Sequence, residues 1–267
     1  MRLFDTHAHL DFSQFDRDRA AVLETLRAQQ VAVLNAGVDL SSSEASLALA
    51  REHPHVFAAC GFHPHDAKAF TPEAARRLEE LLRQGAVALG ECGLDFYRDL
   101  SPRDVQVAVF RVQLRLAKRL GLPVILHQRA AWDAFLQVLR EEGPASGVVH
   151  AFSGDETQAR QAVELGLHVG IGGPLTYAKN DRLRRAVAAV PLDRLLLETD
   201  APYLPPEPFR GERNDPSKTR PVAQRLAATH RRSMADVAEV TWENACRLFS
   251  VHPTFGQPTR PEEQRRA

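Results

Sequence analysis

The feature that most restricts how this chain can fold is an alternation. Short apolar runs of strand length fall at residues 2–9, 31–36, 56–61, 86–91, 123–127, 148–151, 167–171 and 195–199. Between them lie longer stretches with helical periodicity, such as "DRDRAAVLETLRAQQ" and "SPRDVQVAVFRVQLRLAKRLG". Thr71 followed by Pro72 reads as the start of one helix and Gly121 as the end of another. Strands alternating with helices build parallel sheets covered on both faces. Eight such units in 267 residues, with no Gly/Ser linker or charge block between them, predict a single α/β domain, a (β/α)8 barrel of TIM type. An open doubly wound sheet would have fewer strands and often a glycine-rich phosphate loop after the first. Neither G-x-G-x-x-G nor the P-loop pattern occurs, so no nucleotide cofactor is expected. The barrel is expected over residues 1–250, with 251–267 as a flexible or surface-draped tail. The Pro-rich stretch "APYLPPEPFRGERNDP" is too long for an ordinary connector and reads as functional or loose. Two further helices follow it, the second from near Ser233 to Phe249.

In a barrel of this kind the reactive groups collect at the C-terminal ends of the strands. His7 and His9, in "DTHAHLD", end the first run and share one face of it, about 6–7 Å apart. Glu91 ends the fourth run, His127 the fifth and His150 the sixth, and Asp200 follows the eighth. Any one of these histidines is explained most simply as a core residue satisfied by a hydrogen bond. Six polar groups at one end of one barrel are not explained that way. Four imidazoles and two carboxylates exceed the needs of a single catalytic zinc. They suit two divalent ions about 3.5–4 Å apart. Glu91 lies on the strand between the His7/His9 pair and the His127/His150 pair, and is assigned the bridge. Asp200, on the strand that closes the barrel beside the first, is placed to touch one ion and to take a proton from an attacking water. The mixed nitrogen and oxygen set favours Zn²⁺, Mn²⁺, Fe²⁺ or Ni²⁺ and still admits Mg²⁺.

The stretches "DTHAHLD", "GFHPHD", "GECGLDFYRD", "PVILHQR", "VVHAFSG" and "ETDAPYLPPEPFRGERNDP", spanning residues 5–216, resemble the TatD family of metal-dependent deoxyribonucleases, within the amidohydrolase-like barrels. The resemblance implies a TIM-type barrel and a divalent-metal site at His7, His9, Glu91, His127, His150 and Asp200. It also implies phosphodiester hydrolysis, often from a 3′ end, with DNA ends as the substrate. Two departures stand out: the family commonly reads H-S/T-R-D where this chain has His127, Gln128, Arg129 and Ala130, and H-C-F-S-G where it has "HAFSG". Ala130 removes an acid that could touch substrate or brace a ligand, and leaves the ligand set intact.

Other segments are candidates for the rim. His63 and His65, in "GFHPH", follow the third run and read either as loop histidines beside Pro64 or as phosphate or leaving-group contacts, with His63 the better placed. Tyr97 and Arg98 could stack on a base and clamp a phosphate, or be a helix-facing aromatic and a surface arginine. Arg210 and Arg213 offer a basic element near Asp200, in a chain that is arginine-rich throughout. The formal net charge is +0, so no general positive field holds nucleic acid and any phosphate recognition must be local. Two divalent ions against two carboxylates would leave the pocket at about +2, which favours an anion. The three cysteines, Cys60, Cys92 and Cys246, lack C-x-x-C spacing and read as buried packing residues in a reducing compartment. No leader and no uncharged apolar segment of spanning length is visible, so a cytoplasmic protein without a membrane span is expected, as a monomer or weak oligomer. The expected activity is that of a DNA exonuclease on single-stranded or frayed ends. The alternative is a small-molecule amidohydrolase or deacylase using the same metals. A metal-dependent binding protein without catalysis fits less well, because a structural site would close its coordination and need no base such as Asp200.

Overall fold

A computed structural model describes residues 1–143 and 146–256. Eight strands, β1 (Leu3–Ala8), β2 (Val31–Ala36), β3 (Val56–Cys60), β4 (Ala88–Asp95), β5 (Val124–Arg129), β6 (Gly147–Val149), β7 (His168–Ile171) and β8 (Leu195–Leu197), form one sheet in sequence order with every neighbouring pair parallel. The two edges meet and nearly close a barrel. Ala8 bridges Ala201 in parallel, the Asp200 amide donates to the His7 carbonyl at 2.9 Å, and the His9 amide donates to the Ala201 carbonyl at 2.7 Å. Buried Asp5 adds a side-chain latch, accepting from both the amide and the hydroxyl of Thr199.

The connections are α1 (Arg19–Gln29), α2 (Leu40–Glu52), α3 (Pro72–Leu82), α4 (Arg103–Leu120), α5 (Trp132–Glu142), α6 (Glu156–Glu164) and α7 (Asp181–Ala188), followed after β8 by α8 (Thr219–His230) and α9 (Met234–Phe249). Local chemistry sets their ends as the sequence implied. Thr71 caps α3 by accepting from the Ala74 amide, Gly121 ends α4 in the left-handed conformation at φ +67°, and Ser233 caps α9.

Strand alternation divides the apolar residues into two clusters. Leu3, Val31, Val33, Val56, Leu89, Cys92, Leu94 and Leu126 pack outward against the helices. Phe4, Ala32, Leu34, Ala59, Ala88, Ile125, Val148 and Leu196 fill the barrel axis, and Trp242, Ala245 and Phe249 of α9 pack beneath them. The lower part of the barrel is therefore filled by apolar side chains, and the clustered imidazoles and carboxylates lie above this plug.

Two departures from the expected elements matter for the site. The fourth strand does not end at Glu91; it continues four residues to Asp95. Its pairing with β5 also shifts register between Leu89 and Cys92, and β1 shifts between Asp5 and Ala8. Each shift inserts a residue into the strand, so that a side chain which simple alternation would turn outward faces the axis. The loop after β8 is tied down: Asn214 donates to the carbonyls of Thr199 and Tyr203, and the Glu207 amide donates to the Thr176 hydroxyl. At the C-terminal end, Val251 is buried and Phe255 lies against Trp242 and His55, while residues 257–267 of the expected tail lie outside the described residues. No helix among the described residues is long and apolar enough to cross a membrane.

Candidate metal centre

All six expected ligands converge above the apolar plug, at the C-terminal end of the barrel. Glu91 stands in the middle, and its two oxygens face different partners. Oε2 lies 3.2 Å from His7 Nε2 and 3.6 Å from His9 Nε2; those two nitrogens are 3.2 Å apart, and Asp200 Oδ1 is within 3.7 Å of both. Oε1 lies 2.7 Å from His127 Nδ1 and 2.9 Å from His150 Nε2, themselves 3.3 Å apart. A metal that holds its ligands at about 2.0–2.2 Å sets neighbouring donors about 3.0–3.6 Å apart. The spacings therefore match the edges of coordination polyhedra. Two aromatic nitrogens this close, both aimed at carboxylate oxygens, make little sense as a hydrogen-bonded core and good sense as donors around a cation.

The far nitrogens decide which imidazoles can offer a lone pair to the centre. His9 Nδ1 donates to the Ala36 carbonyl at 2.8 Å, which leaves Nε2 free as a donor to an ion. His127 Nε2 and His150 Nδ1 are buried without a hydrogen-bond partner, and the carboxylate oxygens facing them, Asp95 Oδ2 at 3.4 Å and Glu198 Oε1 at 3.8 Å, draw the proton of each ring toward the far nitrogen. His7 Nδ1 is buried without a hydrogen-bond partner, and its ring stacks on that of His150 with centroids 3.8 Å apart. His63 is the exception. Its Nε2 is 3.4 Å from Glu91 Oε1 and, on distance alone, it groups with Glu91 and His127 as a possible ion site. Its Nδ1, however, accepts from the His65 amide at 3.1 Å, which puts the proton on Nε2. His63 thus points a hydrogen-bond donor at the centre.

Charge follows from the same contacts. Burial, with the His150 charge adding to it, pulls His7 down to about 4; burial also takes His63 to about 4, against the pull of Glu91. His9 ends at about 9 because the Asp200 hydrogen bond and the Glu91 charge overcome burial, and His127 ends at about 9 because Asp95 and Glu91 do so. Glu91 is held well below the ordinary carboxylate range: burial would raise it, but the imidazoles of His150, His63 and His7 prevail. Asp200 is also lowered, burial being outweighed by its bond to His9 and by the charges of His150 and His7. Its backbone sits at φ +59°, a left-handed conformation that aspartate tolerates better than most residues.

The rim residues separate into three groups. His63 and His65 lie beside the centre, with His65 Nε2 bonded to Asp95 Oδ2 at 2.8 Å. Tyr97, 65% exposed, carries the Arg129 guanidinium 4.0 Å over its ring, and Arg210 stacks at 4.0 Å on Tyr177; Arg98 is exposed beside Tyr97. Arg213 is directed elsewhere. It forms a paired contact with Asp18 at 2.7 Å for each nitrogen and covers Phe15, so its head group is occupied as a loop anchor and not as the free basic element expected near Asp200.

Two carboxylates escaped the sequence reading. Asp95 lies beyond Glu91, where the sequence ends the fourth run, whereas the strand carries on to include it. Glu198 lay unremarked inside "LLLETD", although it sits two residues beyond axial Leu196 and alternation points it inward. It is fully buried, accepts from the Ala151 amide through Oε1, leaves Oε2 without a partner, and is pushed up to about 7 by burial. Cys92, next to inward-facing Glu91 and past the register shift, packs outward in the helix-facing cluster.

Residues 4–250 match the family model described as "TatD related DNase". The chain is 39% identical over 254 residues to a Bacillus subtilis (strain 168) protein named "Uncharacterized metal-dependent hydrolase YabD", covering 94% of this chain and 100% of that protein. It is 38% identical over 256 residues to a Cronobacter sakazakii protein named "3'-5' ssDNA/RNA exonuclease TatD", covering 92% of this chain and 97% of that one. Among solved structures, the YjjV TatD homolog from Escherichia coli K12 superposes with a TM-score of 0.88 at 35% identity, covering 94% of this chain and 99% of the other. A barrel whose upper mouth gathers imidazoles and carboxylates able to hold metal, matched over nearly its whole length by these proteins, belongs to the TatD related DNase family and is a metal-dependent hydrolase.

Proposed function

We propose that this enzyme is a two-metal phosphodiesterase that removes nucleotides from single-stranded or frayed DNA ends, working from the 3′ end. The observation that carries the reading is the division of donors between the two oxygens of Glu91: His7, His9 and Asp200 on the Oε2 side, His127 and His150 on the Oε1 side. When bound there, divalent ions supply Lewis acidity at the phosphoryl group and lower the pKa of the water that attacks it. The protein does the rest. Glu91 holds the two donor sets in register, and Asp200, kept as a carboxylate, takes the proton of the water. His63 directs its Nε2 proton toward the same space and is placed to bind a phosphate oxygen or the leaving oxygen. Tyr97 with Arg129, and Tyr177 with Arg210, offer flat cationic platforms at the rim on which bases stack without regard to sequence. Relatives named as single-stranded DNA and RNA exonucleases, at about the same identity as relatives named only as hydrolases, support the nucleic-acid class and make RNA a substrate to be tested. Zn²⁺ and Mn²⁺ suit the nitrogen-rich donor set best, with Mg²⁺ also accepted.

The test is an activity panel on metal-loaded protein: a linear single-stranded DNA, the same strand covalently circularised, RNA, and N-acyl amino acids. The linear strand should shorten from its 3′ end while the circle resists. Equal loss of the circle, by an activity abolished in His127→Ala, would indicate an open site in place of an end-binding one. Hydrolysis of the N-acyl substrates with DNA untouched would replace the reading with a deacylase.

A further inference from the structure

Asp95 is fully buried, yet none of the steps above uses it. Its two oxygens do different work. Oδ1 accepts from the amides of Tyr97 and Arg98, at 2.9 and 2.8 Å, and so shapes the loop that carries both side chains. Oδ2 faces inward, 2.8 Å from His65 Nε2 and 3.4 Å from His127 Nε2. The carboxylate is itself fixed. Gln106 of α4 accepts from the Asp95 amide and donates to its carbonyl, as well as to that of Ser101, and the Ser101 hydroxyl donates to the His65 carbonyl. A single buried side chain therefore joins the rim loop, a rim histidine and one of the imidazoles around Glu91.

We infer that Asp95 is a positioning residue that holds the proton of His127 on Nε2, so that Nδ1 presents its lone pair to the ion on the Oε1 side of Glu91. The inference rests on His127 being a ligand of that ion. An imidazole that binds a metal through one nitrogen needs an acceptor at the other, and removing that acceptor commonly costs 10–100-fold in affinity. Beside His127 Nε2, the acceptor in reach is Asp95 Oδ2. The same oxygen takes the His65 proton, so His65 is oriented by the group that orients the ligand, and the rim and the centre are set together.

The chemistry of asparagine separates this role from a structural one. Asp95→Asn retains an oxygen for the amides of Tyr97 and Arg98 but places an NH2 where Oδ2 was. That NH2 donates to His127 Nε2 and drives its proton to Nδ1, where the ion should bind. Zn²⁺ titrations would be run on the full chain as wild type, Asp95→Asn, His65→Ala and His127→Ala, with Tm recorded for the metal-free proteins and their imidazole ¹⁵N shifts taken at a pH above the His127 value of about 9, where that ring is neutral and its tautomer can be read. Asp95→Asn should bind one ion about 10–100-fold more weakly at nearly unchanged Tm, with the His127 proton moved from Nε2 to Nδ1. His65→Ala should bind Zn²⁺ as wild type does. If His127→Ala loses an ion while Asp95→Asn keeps wild-type affinity and tautomer, Asp95 merely caps the loop and the inference is wrong. If His127→Ala binds both ions normally, the ligand assignment itself fails, and the inference fails with it.

Discussion

Asp200 is placed by barrel closure, and the proposed function makes it the proton acceptor. Its amide bonds to the His7 carbonyl, knitting β1 to the segment after β8, while its Oδ1 faces the His7 and His9 nitrogens. Asp200→Asn keeps an oxygen in the same place and removes the proton acceptor. Turnover should fall by roughly 10² or more with metal content and Tm nearly unchanged, measured by steady-state kinetics beside elemental analysis. The imidazoles make a second prediction, concerning pH. In the metal-free protein His9 and His127 are raised to about 9, so both are protonated at pH 7, whereas an ion requires them neutral. Metal binding at pH 7 should therefore release about two protons from these histidines and more from His150, which is raised as well, and affinity should climb as pH rises toward 9. Calorimetry in buffers of different ionisation enthalpy measures this directly, and proton uptake would contradict it. Stability of the metal-free protein has the opposite dependence on pH. The contribution of these two histidines is complete below the unfolded value of 6.5 and is lost as pH rises through about 9.

At the scale of elements, β4 and β5 form the pair on which the site depends. Gly93 sits at φ +147° against the backbone of His127, and a Cβ there would collide with the His127 carbonyl oxygen. Gly93→Ala should cost about 1–3 kcal/mol and lower Tm by several degrees. It should also displace His127 from Glu91, seen as weaker metal binding; a variant with wild-type Tm and metal content would show that the strands part without consequence. The same pair marks the boundary of what the sequence discloses. The number and order of strands were legible because apolar runs and helical periods alternate without interruption. The convergence of His7, His9, Glu91, His127, His150 and Asp200 was legible because polar residues end those runs. The inserted residues in β1 and β4 were not, since nothing in "FDTHA" or "LGECG" distinguishes a register shift from plain alternation. Asp95 stayed hidden for that reason: the fourth run reads as ending at Glu91, whereas glycines at 90 and 93 permit the strand's close passage beside Ile125 and His127. Arg213 looked available because its partner, Asp18, is remote in sequence and ion pairs of that kind leave no local pattern.

For the molecule as a whole, the apolar axis and the α9 plug beneath it leave the clustered imidazoles and carboxylates at the upper mouth of the barrel. With a formal net charge of +0, the protein has no overall positive field to hold a duplex about 20 Å across while it is searched. What it offers is a local positive centre, when loaded, ringed by aromatic and arginine pairs. That architecture suits a strand end that enters the mouth, and the proposed function depends on two ions divided by Glu91. Elemental analysis of metal-loaded, extensively dialysed protein tests this most directly, comparing wild type with His127→Ala and His63→Ala. The account predicts about two divalent ions per chain in wild type, about one in His127→Ala, and about two in His63→Ala, whose Nε2 donates a proton and binds no ion. Wild-type metal content in His127→Ala, or loss of an ion in His63→Ala, would contradict it.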